Sequence, residues 1–210
     1  MKETARKIAQ SLLQIKAIKL NSAKPFVWAS GWNSPIYCDN RKILSYPDVR
    51  REVCEAFAAT VEELYPEAEV IAGVATGAIA HGVLVAEALG KPFIYVRSAP
   101  KAHGLSNRIE GEYRKGAKIV VVEDLVSTGG SSLSAAEALR DAGCEVVGMV
   151  AVFTYGFPQA EAAFKAAKLP LTTLSDYNTM IELAAEQGYI ETEELATLKK
   201  WREAPDKWMK

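Results

Sequence analysis

An aliphatic run, two adjacent acids and a loop of small hydroxyl-bearing residues follow one another in KIVVVEDLVSTGGSS, residues 118–132. The uninterrupted aliphatics at 119–122 are typical of a strand that is covered on both faces of a parallel sheet. A strand tip needs no pair of carboxylates, yet Glu123 and Asp124 stand there. The stretch therefore predicts a buried strand whose carboxyl end carries a ligand site.

The rest of the chain repeats this alternation of strand and helix. Apolar runs predict further strands at EVIAGV, PFIYVR, EVVGMVAVF and LPLTTL, each separated from the next by a loop or a helical pattern. Pro47 suits the start of the helix PDVRREVCEAFAATVEEL, and two helices are predicted to close the chain. Strands that alternate with helices pair in parallel beneath crossover helices. The fold class is therefore α/β, with a central parallel sheet flanked by helices.

The loop at 127–132 has the composition of a phosphate cradle. A loop of small residues that enters a helix exposes backbone N–H groups, and the helix dipole adds positive potential there. The serine and threonine hydroxyls add donors, while Gly129 and Gly130 let the backbone approach a ligand closely. The loop is neither a Walker loop nor a GxGxxG loop. The alternative is an ordinary strand-to-helix turn with Ser131 as the N-cap.

The two acids before the loop indicate what else the ligand contains. Adjacent carboxylates beside a phosphate cradle repel each other unless they bind something, and ribose hydroxyls or a magnesium-bound sugar would satisfy them. The predicted ligand is therefore a sugar with a terminal phosphate. The alternative is that one of Glu123 and Asp124 is solvated and the other caps a helix.

Four aliphatics, an acid pair, two spacers and Ser-Thr-Gly-Gly-Ser resemble the phosphoribosyl pyrophosphate (PRPP) signature of the type I phosphoribosyltransferases. The resemblance implies the fold of that family in a single domain, residues 1–210, with a small N-terminal hood at about 1–45 and a core at about 46–210. It implies transfer of 5-phosphoribosyl to a nitrogen base with loss of pyrophosphate. It also implies Mg²⁺ that is held mainly by PRPP, without protein ligands. The residues implied to bind PRPP here are Glu123, Asp124, Leu125, Val126, Ser127, Thr128, Gly129, Gly130 and Ser131, with Asp124 also catalytic.

A polar loop follows the strand PFIYVR and begins VRSAPKAHGLSNRIEG. Cations on a closing lid stabilise a departing pyrophosphate and exclude water from a reactive sugar cation. The R-x-x-x-K-x-H-G spacing resembles the catalytic loop of the orotate phosphoribosyltransferase family. That resemblance implies that Arg97, Lys101 and His103 are catalytic and bind PRPP, and that the loop is shared between the subunits of a homodimer. The alternative is a basic surface loop.

The segment FVWASGWNSPIYCDNR resembles the base-binding segment of the same family, F-x-x-x-S-G-x-x-S-P-x-Y. The family therefore implies orotidine 5′-phosphate synthesis from orotate, within the de novo route to UMP, and contact between Ser127 and the base. Ala29 and Tyr155 stand where other members place cations. Arg41 is the candidate substitute for binding the orotate carboxylate, and an ion pair with Asp39 or Asp48 is its alternative role.

Composition excludes several other kinds of protein. The 210 residues are 49% hydrophobic and carry a net charge of -1, so no overall field favours nucleic acid or a membrane. The unpaired cysteines and the lack of a signal-peptide core indicate a cytoplasmic protein. His81, inside a helical pattern, is predicted to be a packing or surface residue.

The rival functions are a phosphoribosyltransferase for another base, such as a purine, and a non-enzymatic PRPP sensor that binds DNA.

Overall fold

The computed structural model describes residues 2–21, 24–28, 31–99 and 108–208. The helices are α1 (Lys2–Gln14), α2 (Pro47–Leu64), α3 (Ile79–Leu89), α4 (Gly130–Asp141), α5 (Pro158–Ala166), α6 (Tyr177–Glu186) and α7 (Thr192–Glu203), with a 3₁₀ helix at Asn40–Ser45. The strands are β1 (Ile18–Leu20), β2 (Phe26–Val27), β3 (Asn33–Ser34), β4 (Ile36–Cys38), β5 (Val70–Val74), β6 (Phe93–Val96), β7 (Ile109–Glu110), β8 (Lys118–Val126), β9 (Glu145–Thr154) and β10 (Leu171–Asp176). Within these ranges, no helix combines the length and hydropathy that a membrane span requires.

A six-stranded sheet in the order β10-β9-β8-β5-β6-β7 forms the centre of the molecule. Its neighbours pair in parallel except β7, which runs antiparallel to β6 at the edge. Helices α3 and α4 pack on the central strands, and α2 packs on β9 and β10. The predicted α/β fold with a mostly parallel sheet is confirmed. Strand β7 lies in a stretch that the sequence predicts to be a loop. A strand of two residues is too short to show the alternation of apolar and polar residues from which strands are predicted.

Strand β8 lies between β5 and β9, and it ends where the sequence predicts the ligand site. Its aliphatics at 119–122 are fully buried, as expected for a strand with helices on both sides. Helix α4 begins at Gly130 after Gly129, whose φ of 85° places it in the left-handed region. The N-cap is thus Gly129, and the alternative that Ser131 is the N-cap is wrong. A Cβ at Gly129 would also lie 2.9 Å from the Phe164 ring.

Short antiparallel pairs of strands form the N-terminal part of the molecule, which lies beside the carboxyl end of β8. Strand β1 pairs with β4, and β2 pairs with β3. The 3₁₀ helix after β4 packs against α2 and β8, which brings the N-terminal part next to the end of β8. Helix α1 packs mainly against α6 and against β10, the strand at one edge of the sheet.

Candidate active site

The two acids at the end of β8 occupy different environments, because successive residues of a strand point to opposite faces. The side chain of Glu123 is buried, with a residue exposure of 3%. Its Oε2 accepts a hydrogen bond from Ser132 Oγ at 2.8 Å, and its Oε1 accepts one from the Asp124 N–H at 2.9 Å. Burial raises the pKa of Glu123 well above its ordinary value, and the negative charge of the neighbouring Asp124 adds a smaller increase. Ser132 on α4 therefore orients this acid.

Asp124 is half-buried on the other side, against the loop that follows β5. A Cβ on Gly77 in that loop would lie 2.3 Å from Asp124 Oδ2, so only glycine leaves room for the carboxylate. The Asp124 backbone carbonyl accepts a hydrogen bond of 2.6 Å from Asn40 Nδ2. Gly77 thus leaves space for the carboxylate, and Asn40 of the N-terminal part fixes the backbone that carries it.

Asn40 joins the N-terminal part to the acid pair, and nothing in the sequence marks it for this role. It is 1% exposed, and its Oδ1 accepts a hydrogen bond from Cys38 Sγ at 3.2 Å. His81 on α3 is buried beside Phe57, with ring centroids 6.4 Å apart. Burial lowers the pKa of His81, which favours a neutral ring, and its Nε2 has no hydrogen-bond partner among the described residues. The packing role predicted for His81 agrees with this placement.

A pocket of about 410 Å³ opens beside the phosphate loop. Ser127 and Thr128 form one edge, and aromatic side chains form most of the wall. The full lining is Val27, Trp28, Trp32, Tyr37, Cys38, Leu125, Ser127, Thr128 and Tyr155. A planar aromatic ligand suits such a wall, because aromatic rings stack in offset or tilted pairs. The pocket brings the predicted base-binding segment against the predicted PRPP loop.

A smaller cavity of about 130 Å³ lies on the other side of the phosphate loop. Its lining includes Arg97, Arg108 and the hydroxyls of Ser98, Ser131 and Ser134. This donor set suits an anion, because guanidinium and hydroxyl groups are hydrogen-bond donors. The structure thus brings the predicted lid arginine together with the predicted phosphate loop.

Hydrogen bonds and an ion pair hold the base of the lid. Arg97 Nη1 lies 3.5 Å from Glu110 Oε1. Arg108 Nε donates to the Arg97 carbonyl at 3.1 Å, and its Nη1 donates to Ser134 Oγ at 3.1 Å. Arg108 thereby fixes the end of the lid to α4. The predicted residues Lys101 and His103 lie outside the described residues.

Arg41 lies outside the lining of the aromatic pocket. Its Nε donates to Asp39 Oδ1 at 2.6 Å, and its side chain is 63% exposed. The ion pair lowers the pKa of Asp39. The alternative interaction with Asp39 is therefore present in the structure, and the orotate contact of Arg41 stays a prediction.

The burial of Glu123 predicts an unusual dependence of stability on pH. An unfolded glutamate releases its proton near pH 4.3, at about its ordinary pKa, whereas the folded state keeps the proton to higher pH. Folding therefore binds protons in this window, and wild type loses stability as pH rises from about 4 through the folded pKa of Glu123. Glu123→Gln removes this loss. We expect the melting temperature of Glu123→Gln, relative to wild type, to increase as pH rises above about 4.

Differential scanning fluorimetry across this range measures the effect without substrate. Glu137→Gln is the matched control, because Glu137 is exposed on α4, the helix whose Ser132 bonds Glu123. Its melting temperature should follow that of wild type at every pH. A difference for Glu123→Gln that stays constant or falls as pH rises would contradict the prediction.

Comparison with known proteins places this site in a class. The family model described as "Phosphoribosyl transferase domain" matches residues 40–175, which include the acid pair, the phosphate loop and the lid. The mostly parallel sheet, with the acids and the loop at the end of β8, is that of a type I phosphoribosyltransferase.

Similar proteins and similar solved structures show which phosphoribosyltransferase family the chain resembles. Orotate phosphoribosyltransferase of Bacteroides fragilis is 60% identical over 208 residues, covering 99% of this chain and 98% of that protein. Leishmania donovani UMP synthase superposes with a TM-score of 0.79 at 28% identity, covering 94% of this chain, which spans 42% of that protein. Orotate phosphoribosyltransferase from Aeropyrum pernix superposes with a TM-score of 0.74 at 26% identity, covering 87% and 99%. The chain belongs to the orotate phosphoribosyltransferase family.

Proposed function

We propose that this chain transfers the 5-phosphoribosyl group of PRPP to orotate, giving orotidine 5′-phosphate and pyrophosphate in the de novo synthesis of UMP. The observation that carries the proposal is the aromatic pocket, which lies directly against Ser127 and Thr128 of the phosphate loop. A base in this pocket and a ribose phosphate on the loop would be neighbours. Holding two reactants in one geometry supplies much of the catalysis in such a transfer.

The PRPP half of the site follows from the arrangement at the end of β8. The backbone N–H groups and hydroxyls at 127–131 hold the 5′-phosphate at the start of α4. Asp124, with Glu123 behind it, binds the ribose hydroxyls and stabilises positive charge on the ring as the bond from C1′ to pyrophosphate breaks. Leu125 and Val126 complete the strand end that faces the sugar. The new bond forms between C1′ and a ring nitrogen of orotate, and no protein nucleophile is required.

The donor set also fits a magnesium ion carried by the substrate. Mg²⁺ keeps several waters and binds one or two carboxylates together with substrate phosphates. Asp124 offers a half-buried carboxylate of this kind at the sugar site. Among the described residues, no group of three or more His, Cys, Asp or Glu side chains is placed to hold a metal. Bound with PRPP, Mg²⁺ would neutralise charge on the pyrophosphate.

The lid supplies the cations for the leaving group. Arg97, Lys101 and His103 bind pyrophosphate as negative charge develops on it. We further propose that the lid serves the site of a second subunit in a cytoplasmic homodimer. We also propose that the chain forms a single domain, with a hood at about 1–45 and a core at about 46–210.

Arg41 is proposed to bind the orotate carboxylate by leaving Asp39. Arg41→Ala is then expected to raise KM for orotate about 10-fold or more, because a hydrogen bond to a charged group contributes about 1.5–3 kcal/mol. KM for PRPP should stay within about twofold. Steady-state kinetics with each substrate varied in turn provides the measurement.

Asp39→Asn is the matched control for Arg41, since it removes the charge of the ion-pair partner and keeps the guanidinium. It should leave KM for orotate unchanged or lower. If a folded Arg41→Ala protein has the wild-type KM for orotate, Arg41 does not contact this substrate. Ser127 and backbone groups would then be the remaining candidates.

A direct assay tests the function. Orotate absorbance is followed with PRPP, with and without Mg²⁺, and pyrophosphate release is measured in parallel. We expect consumption of orotate that requires both PRPP and Mg²⁺, with no pyrophosphate release when adenine or guanine replaces orotate. Turnover with a purine and none with orotate would overturn the proposal.

A further inference from the structure

The last helix, α7, reaches the N-terminal ribbon formed by residues 26–28 and 32–34, called here the hood ribbon. Trp201 on α7 is fully buried, and its indole N–H donates to the Asn33 carbonyl at 3.2 Å, across 168 positions of sequence. Its ring lies edge-on to that of Trp28, with centroids 5.7 Å apart. Trp201 therefore contacts both strands of the hood ribbon.

The hood ribbon has little structure of its own to fix its position. Its strands β2 and β3 have two residues each and pair only with one another in the described part of the chain. An isolated two-stranded ribbon is at best marginally stable in water. Yet Trp28 and Trp32 of this ribbon line the aromatic pocket. The shape of the pocket therefore depends on contacts that come from outside the ribbon.

Helix α7 is itself fixed to the core, so it can supply such contacts. Arg202 Nη1 donates to the Gly156 carbonyl at 2.5 Å, just after β9. Tyr177 OH on α6 donates to the Leu198 carbonyl at 3.0 Å. The Trp201 ring also packs against Tyr155, with centroids 6.0 Å apart, and Tyr155 lines the same pocket. One indole thus touches the core wall of the pocket and also holds its hood wall.

We propose that Trp201 is a positioning residue for the nucleobase pocket, acting through its N–H bond to Asn33 and its contact with Trp28. This rests on the proposed function, in which the pocket receives orotate. The indole does not line the pocket, so its effect on the base is indirect. The PRPP site is proposed at the end of β8, where Ser132 of α4 bonds Glu123 and Asn40 bonds the Asp124 carbonyl.

Trp201→Phe tests the proposal because it keeps an aromatic ring and removes the N–H. Loss of one neutral hydrogen bond predicts a rise of about two- to ten-fold in KM for orotate, with KM for PRPP unchanged. Hydrogen exchange, followed by mass spectrometry without substrate, should accelerate in the peptide at 24–34 and stay unchanged in the peptide at 118–126. Trp208→Phe, a half-buried tryptophan beyond α7, is the matched control and should alter neither KM nor exchange.

A second substitution guards against a folding defect. Benzothienylalanine introduced at position 201 has nearly the shape of tryptophan and lacks the N–H, so it should reproduce both effects with a melting temperature within about 5 °C of wild type. An unchanged KM for orotate together with unchanged exchange of the ribbon, or an equal rise in both KM values, overturns the proposal. The exchange measurement needs no substrate. If the wild-type protein does not turn over orotate, the proposed function is wrong. The hydrogen-exchange data would still decide whether Trp201 holds the hood ribbon.

Discussion

Neutralising the acid pair with Glu123→Gln and Asp124→Asn is expected to leave a folded protein whose kcat/KM falls about 100-fold or more, the scale of losing preorganised groups that stabilise transition-state charge. Glu123 is buried and prefers its neutral form, so a neutral side chain costs little there. Asp124 is half-buried at the ligand edge, and its backbone carbonyl accepts the Asn40 hydrogen bond, which the substitution leaves in place. The loss should therefore appear in turnover and in PRPP binding, and circular dichroism should show a native fold.

The control for this double substitution changes charge equally on an exposed surface. Glu137→Gln with Asp141→Asn alters two acids of α4 that face solvent, and its kcat/KM should match wild type. Near-normal turnover in a folded acid-pair mutant would remove both acids from the sugar site. A loss of fold in that mutant, with Glu123→Gln alone stable, would assign Asp124 a structural role.

Lys101→Ala is expected to lower kcat about 100- to 1000-fold while raising KM for PRPP much less, because a lid cation acts chiefly on charge that develops in the transition state. Single-turnover kinetics would separate the chemical step from binding. Lys115→Ala, an exposed lysine just before β8, is the control and should retain wild-type kcat. If KM for PRPP rises 100-fold or more while kcat is unchanged, Lys101 only binds PRPP.

Mixing Lys101→Ala with the acid-pair mutant tests whether the lid is shared. In a hybrid dimer with lids exchanged between subunits, one site receives an intact lysine and intact acids. Random exchange makes half of the dimers hybrid with one good site each, so activity should return to roughly a quarter of wild type. Two affinity tags verify the exchange. No recovery in confirmed hybrids would show that each lid serves its own site.

The fold class could be predicted from the sequence, and so could the strand end at which we propose the PRPP site, because the signals for both are local. The aliphatic run at 119–122 shows a strand buried on both faces, and its acids and small-residue loop stand at the carboxyl end that a parallel sheet exposes to ligands. Gly129 and Gly130 mark the small-residue loop, although α4 begins at Gly130, one residue before the predicted helix. These signals depend on side-chain type and spacing within a few positions of one another.

The partners of these groups could not be predicted, because they depend on packing between distant segments. Asn40 reaches the Asp124 carbonyl across 84 positions, and Trp201 reaches the Asn33 carbonyl across 168. A backbone carbonyl looks alike at every residue, so no pattern in the sequence marks it as an acceptor. The two-residue strand β7 likewise has no period to recognise. The sequence by itself thus determined the sheet and the strand end at which we propose the PRPP site. Only the tertiary structure decided that Asn40 bonds the Asp124 carbonyl and that Trp201 bonds the Asn33 carbonyl, since those bonds exist only once the elements have packed.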